Sequence, residues 1–229
     1  LNEGLDDDGT PNFEQVYTHY RDYAAISASR IIAIADYDND GDQDVYVGRK
    51  YGYNWFFENQ TLTGPAGDVT YHSNPEPFFI EKAVSLGIAD FEVNEIGSMG
   101  YGAAWGDYDN DQDFDLYLTN WGVNRLFNNE NNTFTNVADE QYLESDELSN
   151  GVSWGDYNND GMLDLWTSNI RNPDDVYINV GDGTWDTTSS PQFLSATQDV
   201  VSGDINGDGW LDVFAAGLKM QNGPDGAKY

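Results

Sequence analysis

The sequence predicts an all-β protein built from repeated four-stranded units, and three observations support this fold class. First, an aspartate-rich segment of nine residues recurs without gaps at residues 36–44, 107–115, 156–164 and 204–212. Second, the starts of these segments are 71, 49 and 48 residues apart, and such periods are typical of architectures in which each unit packs only on its neighbours. Third, a short alternating apolar run follows each segment, as expected of a half-buried strand.

The other strands of each unit follow from a second recurring element. It occurs at residues 56–59, 126–129 and 177–180. In the first copy an insertion at 60–78 delays the matching Phe79, which explains the long first spacing. A small residue also precedes each acidic segment, where a larger side chain would crowd a neighbour: Ala35, Gly106, Gly155 and Gly203. Each unit therefore has four short strands, with the acidic segment between the first two, as in a β-propeller blade.

These matches describe one propeller domain or part of one. Its segments are 1–30 (the back half of a blade), 31–83 (a blade with the insertion 60–78), 84–138 and 139–187 (two further blades) and 188–229 (the front half of a blade). The two half blades and three whole blades would form a closed four-bladed propeller if the two ends of the chain pair with each other. We expect instead a piece of a longer propeller, because the chain begins at Leu1 rather than at a methionine.

The composition excludes several classes of protein. The chain has 41 acidic and 9 basic residues and a net charge of -32, so it would repel the phosphates of a nucleic acid. Aromatic residues make up 14% of the chain, enough for a packed core. The chain has no cysteine, which excludes disulfides and cysteine-based zinc sites. No run of 18 apolar residues is present, so we expect no membrane insertion.

The acidic segments have the composition of a calcium-binding loop. In the pattern Asp-x-Asp/Asn-x-Asp-Gly-x-x-Asp, positions 1, 3, 5 and 9 offer side-chain oxygens and position 7 a backbone carbonyl. Six or seven hard oxygen ligands suit Ca²⁺ better than Mg²⁺. The predicted ligands are Asp36, Asp38, Asp40, Asp42, Asp44, Asp107, Asp109, Asp111, Asp113, Asp115, Asp156, Asn158, Asp160, Met162, Asp164, Asp204, Asn206, Asp208, Trp210 and Asp212. We therefore expect about four Ca²⁺ ions, one per loop.

Position 6 of the pattern calls for a positive φ angle, which suits Gly41, Gly161 and Gly209. The second loop has Gln112 there, which predicts a strained or weaker site. The alternative interpretation is that the loops are ordinary Asp/Asn/Gly turns without metal. We disfavour it because several carboxylates within nine residues would repel one another without a cation.

The pattern resembles the FG-GAP/VCBS calcium-loop propellers, the superfamily that includes the integrin α-subunit head. Residues 134–137 and 185–186 look like the strand-four signature of that family, and the resemblance covers almost the whole chain apart from the insertion. It implies a β-propeller with structural calcium. Such modules occur in adhesins, receptors, lectins and the non-catalytic parts of enzymes. The resemblance therefore implies adhesion or recognition of a protein or glycan, but it does not identify the ligand.

Two other functions stay open: the scaffold of a polysaccharide-acting lyase or hydrolase, and a structural subunit of a surface layer or filament. We predict no catalytic residue, because the two histidines, His19 and His72, lie in no triad-like or metal-ligand pattern. We expect an extracellular or cell-surface location, because extracellular calcium modules commonly bind at about 10⁻⁴–10⁻³ M and loops of that strength would stay empty in a cytosol.

A ligand is expected on the face opposite the acidic loops, where the connections after the second strands lie. Basic and aromatic side chains concentrate in those connections, in a chain that is otherwise acidic. The candidate ligand-binding residues are Arg49, Lys50, Tyr51, Trp121, Arg125, Arg171 and Lys219. They would suit an extracellular protein or an anionic glycan. The alternative is that these cations pair locally with neighbouring aspartates.

Overall fold

A computed structural model describes residues 2–5, 11–13, 29–50, 52–60, 79–90, 100–187 and 197–217. Within these ranges the protein contains only β-strands, as predicted. Several predicted features lie outside the described residues: His19, His72, Tyr51, Lys219 and all of the insertion except residue 60. No helix in the described part of the chain is long and apolar enough to cross a membrane.

Three antiparallel sheets have four strands each, in the order of the chain. Sheet 1 consists of β3 (Ser29–Ala35), β4 (Asp44–Arg49), β5 (Trp55–Asn59) and β6 (Phe79–Glu81). Sheet 2 consists of β7 (Gly100–Gly106), β8 (Asp115–Asn120), β9 (Arg125–Asn129) and β10 (Phe134–Asn136). Sheet 3 consists of β11 (Ser149–Gly155), β12 (Asp164–Asn169), β13 (Asp175–Asn179) and β14 (Trp185–Asp186).

Two strand pairs flank these sheets in sequence. One contains β1 (Asn2–Leu5) and β2 (Pro11–Phe13). The other, sheet 4, contains β15 (Thr197–Gly203) and β16 (Asp212–Gly217). The four-stranded sheets confirm the predicted repeat unit.

Each acidic segment lies between the first two strands of its sheet. In sheet 1 the residue before the loop pairs with the last aspartate of the loop, Ala35 with Asp44. The same pairing recurs in the other three sheets, between Gly106 and Asp115, Gly155 and Asp164, and Gly203 and Asp212. The four loops are therefore closed by hairpins of identical register.

The first strands of successive sheets lie side by side in the series β3, β7, β11, β15. Small residues allow this approach: a Cβ atom on Gly106 would lie 2.8 Å from Trp154 Cδ1, and one on Gly155 would lie 2.8 Å from Leu211 Cδ1. The prediction that a side chain here would crowd a neighbour is thus confirmed at these two glycines. It is wrong at Gly203, where no described atom lies within 4 Å of an added Cβ because no further described sheet packs on sheet 4. The sheets are consistent with propeller blades, although the described strands do not form a closed ring.

Aromatic side chains fill the two spaces between sheets 1, 2 and 3. Tyr46 and Phe56 are completely buried between sheets 1 and 2, where Trp105 packs on them. Tyr117 is completely buried between sheets 2 and 3, and its ring meets Trp154 edge to face at 6.1 Å. Burial of such large rings is a major source of stability.

The connections between strands lie on two opposite faces. On one face, the loop between the third and fourth strands of sheet 2 contacts the acidic loop, since Asn131 N donates to Asp113 Oδ2 at 2.8 Å. We call this the acidic face. On the other face, Asn124 N after the second strand donates to Ser145 O, in the segment that leads to sheet 3, at 3.0 Å. We call this the opposite face.

Candidate metal centres

The first aspartate of each acidic loop folds the loop around its own carboxylate. Asp36 Oδ1 accepts a hydrogen bond from Asp40 N, and Asp36 Oδ2 accepts one from Gly41 N, both at 3.0 Å. The same pair of bonds, at 2.9–3.1 Å, recurs at Asp107, Asp156 and Asp204. Four segments far apart in sequence therefore adopt one loop conformation.

Two positions of the loop have left-handed backbone. At position 6, Gly41 has φ 98°, as predicted, and Gln112 adopts φ 81° despite its side chain. The predicted backbone strain in the second loop is therefore present. Position 4 is also left-handed, with φ near 60° at Asn39, Asn110 and Asn159, which we did not predict. Asparagine tolerates this region better than most residues, so its recurrence at position 4 was an available signal.

The last aspartate of the loop ties the loop to the sheet. Asp115 is completely buried, and its two oxygens accept bonds from Tyr108 N at 3.2 Å and Asn129 N at 2.8 Å. Asp44 and Asp164 make the equivalent pair of bonds. Each oxygen keeps a second lone pair, so this aspartate can hold the loop in place and also face a cation.

Carboxylates converge in the first two loops. Oxygens of Asp36, Asp38 and Asp40 all lie within 4.8 Å of one another, as do oxygens of Asp107, Asp109 and Asp115. Asp38 Oδ1 is buried and accepts no hydrogen bond from the described residues. A hard cation would supply the positive charge and the missing contact, so these side chains fit Ca²⁺.

The pKa values of these carboxyl groups also favour a bound cation. Burial raises the pKa of Asp38 to about 6, with repulsion from Asp40 adding to the effect. Burial also raises the pKa of Asp44 and of Asp115 to about 8, although hydrogen bonds from backbone N–H groups oppose the change. Proximity to other aspartates raises both further. Ionising the loops without a counter-ion is therefore costly.

The third and fourth loops carry less charge. Asparagine occupies position 3, and its side-chain amide donates to the position-5 carboxylate: Asn158 to Asp160 Oδ2 at 2.8 Å and Asn206 to Asp208 Oδ2 at 3.0 Å. Position 7 is Met162 or Trp210 in place of the aspartates of the first two loops. These loops keep the same backbone conformation with weaker repulsion.

Comparison with protein families identifies this unit. A model of the FG-GAP-like repeat matches residues 107–167 and 156–215. Residues 107–215, slightly less than half of the chain, are therefore similar to FG-GAP-like repeats. Each match runs from the first aspartate of one acidic loop into the second strand of the next sheet, so this family repeat contains the loop and the strands described above. No curated protein gives a significant match to the chain.

Buried asparagines connect one repeat unit to the next. Asn129 Nδ2, at the end of β9, donates to Tyr37 O in the first loop at 3.0 Å and to Phe114 O in the second loop at 3.2 Å. Asn179 Nδ2 makes the equivalent bonds to Tyr108 O and Leu163 O, linking the second and third loops. We call Asn129 and Asn179 the loop clamps. Their roles were not predicted, although asparagine recurs at this position of each repeat.

The predicted ligand-binding residues of the opposite face have different environments. The Arg125 side chain is only 11% exposed, with Nε 3.3 Å from Asp90 Oδ1 and Nη1 3.7 Å from Glu144 Oε1. Its charge is compensated locally, as the alternative interpretation expects. Arg49 lies with its guanidinium 4.1 Å above the Trp55 ring.

The remaining described members of that set are more accessible. Arg171 is exposed, and Lys50 and Trp121 are partly exposed. The Trp121 ring stacks on Tyr101, with centroids 4.5 Å apart and an interplanar angle of 9°. The opposite face therefore offers basic and aromatic groups together, while the acidic face offers carboxylates.

Proposed function

We propose that the chain is a calcium-stabilised, propeller-type module that recognises an extracellular protein or glycan. The observation that supports calcium most directly is the repetition of one loop conformation in four repeat units, two of which bring three carboxylates within 4.8 Å. About four Ca²⁺ ions would bind, one per loop. The ion supplies charge neutralisation and cross-linking of the loop.

The ligand set follows from the loop conformation. Side-chain oxygens at positions 1, 3, 5 and 9 and the backbone carbonyl at position 7 would hold the ion. The N–H groups that bond to the position-1 carboxylate pre-organise it, so little side-chain entropy is lost on binding. A structural role for calcium follows, because the loops connect strands whose packing makes up the fold.

Recognition is assigned to the opposite face. FG-GAP-like modules commonly serve adhesion or recognition, and this face combines exposed Arg171, partly exposed Lys50 and the Trp121 ring. Placement outside the cell is part of the proposal, because loops of ordinary extracellular affinity fill only where calcium is at about 10⁻⁴–10⁻³ M.

Metal analysis and thermal unfolding test the proposal together. We expect about four calcium ions per chain, and a melting temperature that falls sharply in chelator, because calcium binds only the folded loops. Asp107→Asn should lose one ion. Asp139→Asn, which removes an equal charge from an exposed site outside the loops, should lose none. A protein without calcium whose melting temperature is unchanged in chelator would overturn the proposal.

A further inference from the structure

An arginine and two aromatic rings form a continuous stack on the opposite face. The Arg30 guanidinium carbon lies 4.4 Å from the centroid of the Tyr101 ring. The Tyr101 ring in turn stacks on Trp121 at 4.5 Å, nearly parallel. Tyr101 therefore lies between the cation and the indole. We call these three residues the arginine–aromatic stack.

The position of the stack in the fold is fixed by several strands. Arg30 and Tyr101 are equivalent residues, each six positions before the first aspartate of an acidic loop, and Trp121 directly follows β8. Trp121 Nε1 donates to Asn150 Oδ1 at 3.1 Å, and Asn150 is 3% exposed. The stack is thus anchored to sheets 1, 2 and 3 at the ends of their first strands, where those strands lie side by side.

Within the described part of the chain, no acidic side chain compensates the charge of Arg30. Arg30 is exposed, and no carboxylate of the described residues lies within ion-pair distance of it. Arg125 and Lys82 both have such partners. In a chain of net charge -32, this exposed guanidinium lies over a ring, and no carboxylate of the described residues occupies its N–H groups, so they can bond to another molecule. Because the guanidinium is already held in place, binding loses less rotamer entropy.

We propose that the arginine–aromatic stack binds a single carboxylate presented by a protein partner. The planar guanidinium matches a carboxylate through two parallel hydrogen bonds. Trp, Tyr and Arg are the residues enriched at the energetic centres of protein interfaces. The inference rests on the proposed recognition function and names the group that this face recognises.

The net charge of the chain favours a protein ligand over a polyanionic glycan. A uronate or sulfated polymer carries charge along its whole length and would be repelled by the surrounding acidic surface. An acidic side chain or chain terminus on an otherwise neutral or basic protein avoids that repulsion. The stack would accept the carboxylate, and the acidic surface around it would attract the remainder of the partner.

Nuclear magnetic resonance of the calcium-loaded, ¹⁵N-labelled chain tests the site with small probes. The probes are the capped peptide Gly-Asp-Gly, its neutral counterpart Gly-Asn-Gly and a trigalacturonate. We follow the Trp121 indole N–H, assigned with Trp121→Phe, and the Arg30 Nε–H. The Asp peptide should shift both signals in a saturable way, and the Asn peptide should bind at least about tenfold more weakly because it cannot form charge-assisted bonds.

Variants separate the site from general electrostatics. Arg30→Gln should abolish binding of the Asp peptide, and Arg30→Lys should weaken it by losing the planar fork. Lys82→Gln removes the same charge from a residue paired with Glu58 and should leave binding unchanged. Shifts that survive Arg30→Gln, or no shift with the Asp peptide, would overturn the site. Tighter binding of trigalacturonate than of the Asp peptide would overturn the choice of a protein ligand.

Calcium content and melting temperature are measured on the same samples. If the chain keeps its calcium-dependent stability but does not bind the Asp peptide, only the proposed carboxylate site is overturned. If the chain binds the peptide but contains no calcium, the calcium part of the proposed function is overturned and the carboxylate site is unaffected.

Discussion

Replacing Asn129 by alanine is expected to destabilise the protein by about 1.5–4.5 kcal/mol. The variant loses the bond from Nδ2 to Tyr37 O, which is buried, and the bond to Phe114 O, which is partly buried. An unsatisfied buried carbonyl costs about 1–3 kcal/mol, and a partly exposed hydrogen bond contributes about 0.5–1.5 kcal/mol. The backbone bond from Asn129 to Asp115 is unchanged by the substitution.

Urea unfolding at saturating calcium measures this loss, and the neighbouring residue supplies the control. Asn128 Oδ1 is buried without a hydrogen-bond partner among the described residues, so Asn128→Ala should cost less than about 1 kcal/mol. Because Asn129 joins the first and second loops, Asn129→Ala should also lower calcium affinity at both. Equal stability losses for the two alanine variants would refute the clamp role.

Three further outcomes are expected. In chelator, the raised pKa of about 8 at Asp44 and Asp115 means that the folded chain binds more protons than the unfolded chain between pH of about 4 and 8. The melting temperature of the metal-free protein should therefore fall as pH rises through that window, and a flat or rising curve contradicts the reasoning. Gln112→Gly should relieve left-handed strain and raise stability by up to about 1 kcal/mol, whereas Gln112→Ala should not. Asn158→Asp adds a carboxylate to the third loop, so calorimetry should show tighter calcium binding there. Chelator should also lower the stability of this variant more than that of the original chain. Unchanged calcium affinity would count against position 3 as a ligand.

The repeat unit could be predicted because its determinants are local in sequence. The loop pattern, the small residue before it and the strand after it lie within about one hairpin, and hairpin register follows from such local signals. The requirement for a small residue is visible at Gly106 and Gly155, where the next sheet lies directly against the backbone.

The contacts between repeats could not be predicted in the same way. Asn129 reaches Tyr37 across 92 positions of the chain, and no local pattern specifies which carbonyl a buried amide will meet. The charge of Arg125 and its position after the second strand of its unit predict a place in the binding surface. Its pairing with Asp90, 35 positions earlier, depends on how sheets 1 and 2 pack.

The acidic face and the arginine–aromatic stack are joined by the same strands, which leads to a last prediction. Arg30 lies near the start of β3 and Asp36 directly follows its end, about 20 Å away for six residues of strand. If calcium binds the loop as proposed, it would fix one end of the strand, and with it the position of the other end relative to β7. We therefore expect chelator to weaken binding of the Asp peptide under conditions in which the chain stays folded, although calcium does not contact the peptide. Titration at low temperature, with and without chelator, measures the effect, and magnesium at equal ionic strength controls for screening. Equal affinities in a folded, calcium-free chain would show that the two faces act independently.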